Sequence, residues 1–222
     1  MKYDVIIVGA GPGGIYSAYE LMKKCSDKKI AVFDSGYSLK KRHCPIDGEK
    51  VKACIKCKSC SIMSGFGGAG AFSDGKYNIT NDFGGTLYEY IGKKAATELM
   101  QYVDDINMAH GGEGTKMYST AGTNLKKVCL QNRLKLLNAS VRHLGTDINL
   151  VVLGRLYDEL KEHVDFYFES PVSHIECLEN GGYRVWSNDQ SYDCGKCIVS
   201  VGRSGSKWME HICKELDIPT KS

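Results

Sequence analysis

No stretch of this sequence is long and apolar enough to cross a bilayer, which takes about 20 consecutive apolar residues. Its most apolar early run, residues 5–10, is short, follows Asp4 and leads into glycines rather than a cleavage site, so it does not read as a secretory signal either. Charge of one sign is not in marked excess. The balance of 29 Lys and Arg against 26 Asp and Glu leaves +3, too slight to argue for nucleic acid or an anionic membrane as partner. Internal repeats and low-complexity tracts are absent. What remains is an ordinary globular chain, 42% hydrophobic and 25% charged, and its 222 residues suffice for one sizeable domain or a domain with a small insert. The expected compartment is the cytoplasm, where most of its ten cysteines would stay reduced.

The opening residues organise the rest. Tyr3-Asp-Val-Ile-Ile-Val8 is a short apolar run ending in glycines, the pattern of a buried parallel strand. Residues 13–24 place Ile15, Ala18, Leu21 and Met22 at helical spacing, and residues 30–34 read as a second strand. A strand–helix–strand unit of this length suits a right-handed crossover. Between strand and helix, Gly9-Ala-Gly11-Pro12-Gly13-Gly14 fits G-x-G-x-x-G. Gly9 permits the turn out of the strand, Gly11 leaves the backbone open to a diphosphate, and Gly14 lets the helix approach the sheet. The helix presents free N–H groups and its positive dipole end to the phosphates. Asp34 closes the second strand, where a carboxylate accepts hydrogen bonds from ribose hydroxyls.

Farther along, cysteine, glycine and lysine dominate residues 35–86, and loops shaped by a ligand or metal are expected there. Helices are expected over 87–108, 122–138 and 150–163, the last capped by Thr146 or Asp147. Strands are expected at 166–169, 172–178, 183–187 and 197–201, with Asn180-Gly181-Gly182 as a hairpin signal between the second and third. The fold class is thus α/β, a Rossmann-like FAD/NAD(P)-binding domain with a parallel sheet. It is discontinuous, built from 1–40 and 145–210 around an inserted segment 41–144, with 211–222 as a tail. Cys194 and Cys197 read as packing residues on opposite faces of the last strand.

The opening Tyr-Asp-Val-Ile-Ile-Val-Gly-Ala-Gly-Pro-Gly-Gly resembles the N-terminus of two-dinucleotide-binding-domain flavoproteins, and residues 197–205 resemble their second signature, a strand running beneath the FAD. Ser200 stands where that signature usually has Ala, and Asp34 where the family usually has Glu. Arg42-His-Cys44-Pro, Cys54-Ile-Lys-Cys57-Lys-Ser-Cys60, Gly65-Phe-Gly67-Gly68-Ala69-Gly-Ala-Phe-Ser-Asp74-Gly-Lys76 and His143-Leu-Gly-Thr-Asp147 narrow the resemblance to a poorly characterised bacterial family of FAD-dependent dehydrogenases. The resemblance implies an FAD-dependent oxidoreductase, with Gly9, Gly11, Pro12, Gly13, Gly14, Asp34, Ser35, Arg42, Gly67, Gly68, Ala69 and Gly202 at the cofactor. Members of that family are about twice as long and return to a C-terminal motif at the FAD, so the resemblance also implies a chain truncated before its C-terminal half. It supplies no substrate; NAD(P)H or a protein is the expected electron donor. Two rivals stand beside this reading, an NAD(P)-binding module without flavin and a non-catalytic fragment that needs a C-terminal partner.

Two groups carry possible chemistry. The 65–76 loop offers many unobstructed amides, a setting for an anion nest. Lys76 is the candidate cation for stabilising reduced flavin, Asp74 for ordering the loop, and His143 for general acid–base work. Cys44, Cys54, Cys57 and Cys60 are spaced C-x9-C-x2-C-x2-C, with Lys52, Lys56 and Lys58 to offset thiolate charge. An iron–sulfur cluster, a zinc site, a redox disulfide such as Cys57–Cys60, and unligated thiols all remain open.

Overall fold

A computed structural model describes residues 1–179 and 181–220. The chain divides into two compact units, Met1–Ala71 with Tyr157–Ser222, and Phe72–Leu156.

The first unit is built on a six-stranded sheet. Its strands are β1 (Lys2–Val8), β2 (Ile30–Phe33), β6 (Val164–Tyr167), β7 (Val172–Cys177), β8 (Tyr183–Ser187) and β9 (Gln190–Val199), in the order β6-β2-β1-β9-β8-β7. The first four in that order are parallel, and the β7–β8 and β8–β9 pairs are antiparallel. Strand β9 is longer than the 197–201 expected. Its first half pairs with β8 (Tyr183↔Cys194), while its other edge runs parallel to β1 from Lys2↔Asp193 to Val8↔Val199. Helix α1 (Pro12–Lys24) starts with proline at its first position, where the missing N–H costs nothing, and buries Ile15, Ala18 and Met22. Helix α6 (Ser206–Glu215) follows β9, and its Ile212 joins Tyr3, Ile6, Phe33, Val185 and Tyr192 in one buried cluster. Phe33 stacks on Tyr167 at 4.5 Å and meets Tyr192 edge-on at 4.8 Å. The hairpin signal sits between the antiparallel β7 and β8, with Gly181 at φ 80°; Asn180 lies outside the described residues.

The Cys-bearing loops up to Ala71 group with this sheet. Phe66, fully buried, packs edge-on against Tyr157, Phe166 and Phe168. Arg42 lies beneath the loop and donates to the carbonyls of Ser61 (2.8 Å), Ile62 (2.8 Å) and Phe66 (2.6 Å). Cys194 and Cys197 depart from the opposite-face expectation. Gly195 and Lys196 are consecutively exposed, which breaks the alternation, and both thiols face the same buried cluster. Hydrogen bonding to Cys194, with burial, holds the Cys197 thiol protonated far above the ordinary range.

The second unit carries a small antiparallel sheet, β3 (Lys76–Ile79), β5 (Ser140–His143) and β4 (Met117–Ser119), in that order. The helix expected over 87–108 is two helices, α2 (Leu87–Ile91) and α3 (Lys93–Asn107), because Gly92 sits at φ 82°, outside the helical region. Over 122–138 only α4 (Leu125–Gln131) is helical. Arg133 adopts φ 57°, and the N–H groups of Arg133 and Leu134 turn back to the carbonyls of Leu130 and Cys129, a left-handed close that ends the helix. Helix α5 (Gly145–Leu160) starts before Thr146, so Asp147 lies in its first turn rather than at its cap.

Within this unit Arg142 grips Asp104 at 2.7 Å through Nη2 and 3.1 Å through Nε, and donates to the Thr115 carbonyl at 2.6 Å. Asp104 is only 1% exposed, so its charge depends on this partner. Arg142→Met is expected to lower stability by about 3–5 kcal/mol, since it strands a buried carboxylate. Adding Asp104→Leu should recover part of that loss. Urea unfolding of the single and double variants checks this, and equal losses in both would contradict it.

Candidate functional site

The strand order reverses between β1 and β9. β2 and β6 lie on one side of β1, and the later strands on the other. In an open α/β sheet the crevice outside the C-terminal ends of the strands at such a point is where ligands bind. A cavity of about 850 Å³ opens there, within the range of about 300–1,000 Å³ usual for small-molecule and cofactor sites. Strand ends make one side of its wall: Val8 and Gly9 at the end of β1, Phe33 and Asp34 at the end of β2, and Ser200 through Gly205 after β9.

The glycines of the first turn stand at closely packed positions. Gly9 has φ 105°, and a Cβ there would lie 2.6 Å from the Ser200 carbonyl oxygen. A Cβ on Gly14 would collide with the Gly9 carbonyl oxygen. Helix α1 therefore meets the β1 exit backbone to backbone. Gly11 differs: its Cβ would face open space, the nearest atom being the Gly68 Cα at 4.0 Å. The turn is flanked on both sides. Ser200 Oγ donates to the Gly9 carbonyl at 3.3 Å, and the Gly67 N–H donates to the Ala10 carbonyl at 2.8 Å. The first-turn amides of α1 have no acceptor inside the helix.

Asp34 joins two strand exits. One carboxylate oxygen accepts the Ala10 N–H at 2.7 Å and the other the Gly36 N–H at 2.7 Å. A carboxylate oxygen has more than one lone pair, so capacity remains toward the cavity that Asp34 lines.

The structure brings Gly9, Gly11, Pro12, Gly13, Asp34, Ser35, Gly68, Ala69 and Gly202 to the cavity wall. Gly14 and Gly67 stand behind it, as packing and as a tie to Ala10. Arg42, placed at the cofactor by resemblance, is 5% exposed and clamps three carbonyls of the 61–66 loop; it does not line the cavity. Cys57 and Cys60 line the cavity, whereas Cys44 and Cys54 do not. All four are free, and among the described residues no group of three or more His, Cys, Asp or Glu is placed to hold a metal. Iron–sulfur and zinc ligation therefore find no support in the structure. Lys76 and His143 are neighbours in the β3–β5 register of the second unit. Lys76 pairs with Asp74 at 2.7 Å, and that bond holds the Asp74 carboxyl below the usual carboxylate range.

Sequence reasoning missed Lys58, Ser170, Val172, Arg203 and Trp208, which also line the cavity. Lys58 lies within the C-x2-C-x2-C run and Arg203 within the 197–205 segment, whereas Ser170, Val172 and Trp208 carry no motif of their own.

No family model matches the chain, and no curated protein matches it. Solved structures do. Glycine oxidase from Geobacillus kaustophilus superposes with a TM-score of 0.53 at 14% identity, covering 97% of this chain and 58% of its own. The FAD-bound, dithionite-reduced L-α-glycerophosphate oxidase from Mycoplasma pneumoniae gives 0.51 at 16%, covering 96% and 57%. NikD, an amino acid oxidase of nikkomycin biosynthesis, gives 0.51 at 10%, covering 97% and 54%. This is the fold of FAD-binding flavoproteins. The chain spans a little over half the length of these relatives in structure.

Gly14→Ala is expected to cost about 1–3 kcal/mol, because α1 must shift away from the Gly9 carbonyl. Thermal unfolding measures it, and an unchanged melting temperature would show that the helix start is not held against the strand.

Proposed function

We propose that the chain binds FAD in this cavity and belongs to a flavin-dependent oxidoreductase. The observation that carries the reading is the open space over Gly11, at a turn whose other glycines are closely packed, in the crevice where the strand order reverses. Bound there, the flavin supplies the capacity to take and return hydride or single electrons. The chain's own residues bind and orient it. The first-turn amides of α1 receive the diphosphate, and Asp34 accepts from the ribose hydroxyls while holding the β1 and β2 exits together. A negative carboxylate at that place disfavours a ribose 2′-phosphate, which speaks against NADP as the ligand of this turn. Lys76 and His143, cross-strand neighbours within the second unit and not on the cavity wall, keep only the roles suggested by the sequence, a cation and an acid or base.

The test is an absorption spectrum of the purified protein, with flavin, iron and zinc quantified. Bands near roughly 370 and 450 nm are expected, as any flavin gives. Gly11→Val is the matched variant. Its side chain has room and its backbone is extended, so the fold should survive with a loss of about 1 kcal/mol. Flavin should be lost with it. A Gly11→Val protein that keeps its FAD, or a wild-type protein that takes NAD and refuses FAD, overturns the reading.

One observation favours a second reading, that the chain works together with a further polypeptide. The second unit exposes Leu99, Tyr102, Leu125, Val128, Leu130 and Leu134, each at 42% or more. Contiguous exposed apolar patches mark interaction surfaces, and four of these side chains fall within the ten residues 125–134. Coexpression with a separate C-terminal polypeptide from the same genome tests it. Flavin recovered only from the pair supports this reading, and full flavin occupancy of the single chain removes it.

A further inference from the structure

The cavity wall has a charge imbalance that the phosphate turn alone does not explain. Among the described residues its one acidic side chain is Asp34, and both oxygens of that carboxylate already accept backbone N–H groups. Two cations line the same wall, Lys58 and Arg203, and among the described residues no acidic side chain pairs with either. Both side chains are exposed at the cavity, where each is available to an anion that enters it, and the arginine fork suits a phosphate.

Position says which anion. β9 lies beside β1 and parallel to it, so its exit leaves the sheet next to the exit of β1. Ser200, the first residue past β9, touches the phosphate turn directly. Its N–H donates to the Val8 carbonyl at 2.8 Å, and its Cβ would stand 3.3 Å from a Cβ on Gly13. Arg203 follows three residues later, in a single tight turn closed by the Gly205 N–H on the Gly202 carbonyl at 3.0 Å. Val201 packs against Gly205, where a Cβ would stand 2.6 Å from the valine Cβ, so the turn is held at its base. On the other flank, a Cβ on Gly68 would lie 3.1 Å from the Gly11 Cα, and Lys58 belongs to the chain segment leading into that loop. The glycine turn thus lies between two loops, and each brings one unpaired cation to the shared cavity.

We propose that Arg203 is a diphosphate-binding residue, supplying a charge-assisted contact to the same phosphates that rest on the α1 turn, with Lys58 as the lesser cation on the opposite flank. The inference rests on the assignment of this cavity to an adenine dinucleotide. It adds that the diphosphate is met by side-chain charge as well as by backbone amides. Arginine's planar fork suits two phosphate oxygens at once, and lysine meets them only as a point charge.

Isothermal titration of the flavin-free protein with ADP and with adenosine separates the two claims, because the ligands share a base and ribose and differ in the diphosphate. Wild-type protein should bind ADP more tightly than adenosine, with ADP affinity falling as sodium chloride rises. Arg203→Gln should weaken ADP by about ten- to a hundredfold, flatten its salt dependence and leave adenosine unchanged. Arg203→Lys should fall between wild type and Arg203→Gln. Circular dichroism melts of both variants confirm the fold, and the lysine variant keeps the comparison available should the glutamine variant misfold. If wild type binds ADP well and Arg203→Gln binds it equally, the role of Arg203 is wrong and the cavity assignment stands. If wild type binds neither ligand, the cavity assignment fails and the inference goes with it.

Discussion

The exits of β1 and β9 touch through bare backbone, and the rest of the site depends on that approach. A turn that brings helix α1 onto Gly9 and Ser200 leaves no room for side chains at Gly9 or Gly14. Because these atoms meet directly, the first-turn amides of α1 have a fixed position relative to the sheet. The same approach aligns the loop after β9 with the phosphate turn. Asp34 extends the arrangement to a third strand, since its carboxylate cannot bond Ala10 and Gly36 together unless the β1 and β2 exits stay in register. The outcome is preorganisation: donors and charge are held in place by packing, and a ligand need not order them.

This arrangement was largely legible in the sequence, and the reason is physical. Close backbone approach excludes every residue but glycine, so Gly9 and Gly14 leave a compositional mark, and apolar runs on either side fix strand and helix around them. Asp34 was legible from its place at the end of the second strand, although its two backbone bonds were not. Other parts left no such mark. Trp208 reaches the cavity because β9 is laid beside β1, a long-range pairing that no local spacing encodes. Arg42 was placed at the cofactor by resemblance, and its guanidinium instead clamps carbonyls of the 61–66 loop. Gly92 was hidden inside a helical pattern because one glycine is tolerated in a helix unless its φ turns positive.

The cysteines teach a related lesson about spacing. C-x2-C-x2-C brings three thiols near one another along the chain, but a metal needs them to converge in space. Here Cys57 and Cys60 reach the cavity while Cys44 and Cys54 lie away from it. The pair Cys194 and Cys197 shows the opposite effect. Strict alternation would part them, yet two exposed residues in succession turn both toward one core.

Strand β9 has a double allegiance, with one edge to the local β8 hairpin and the other to β1 at the far end of the chain. The hairpin forms from near neighbours, whereas the β1 ladder must close the long loop from Val8 to Asp193, the slow kind of contact in folding. During synthesis the glycine turn stays half-built until β9 has followed and been laid beside β1. Nucleotide capture is thereby deferred until β9 is made, and the β1 edge stays open until then.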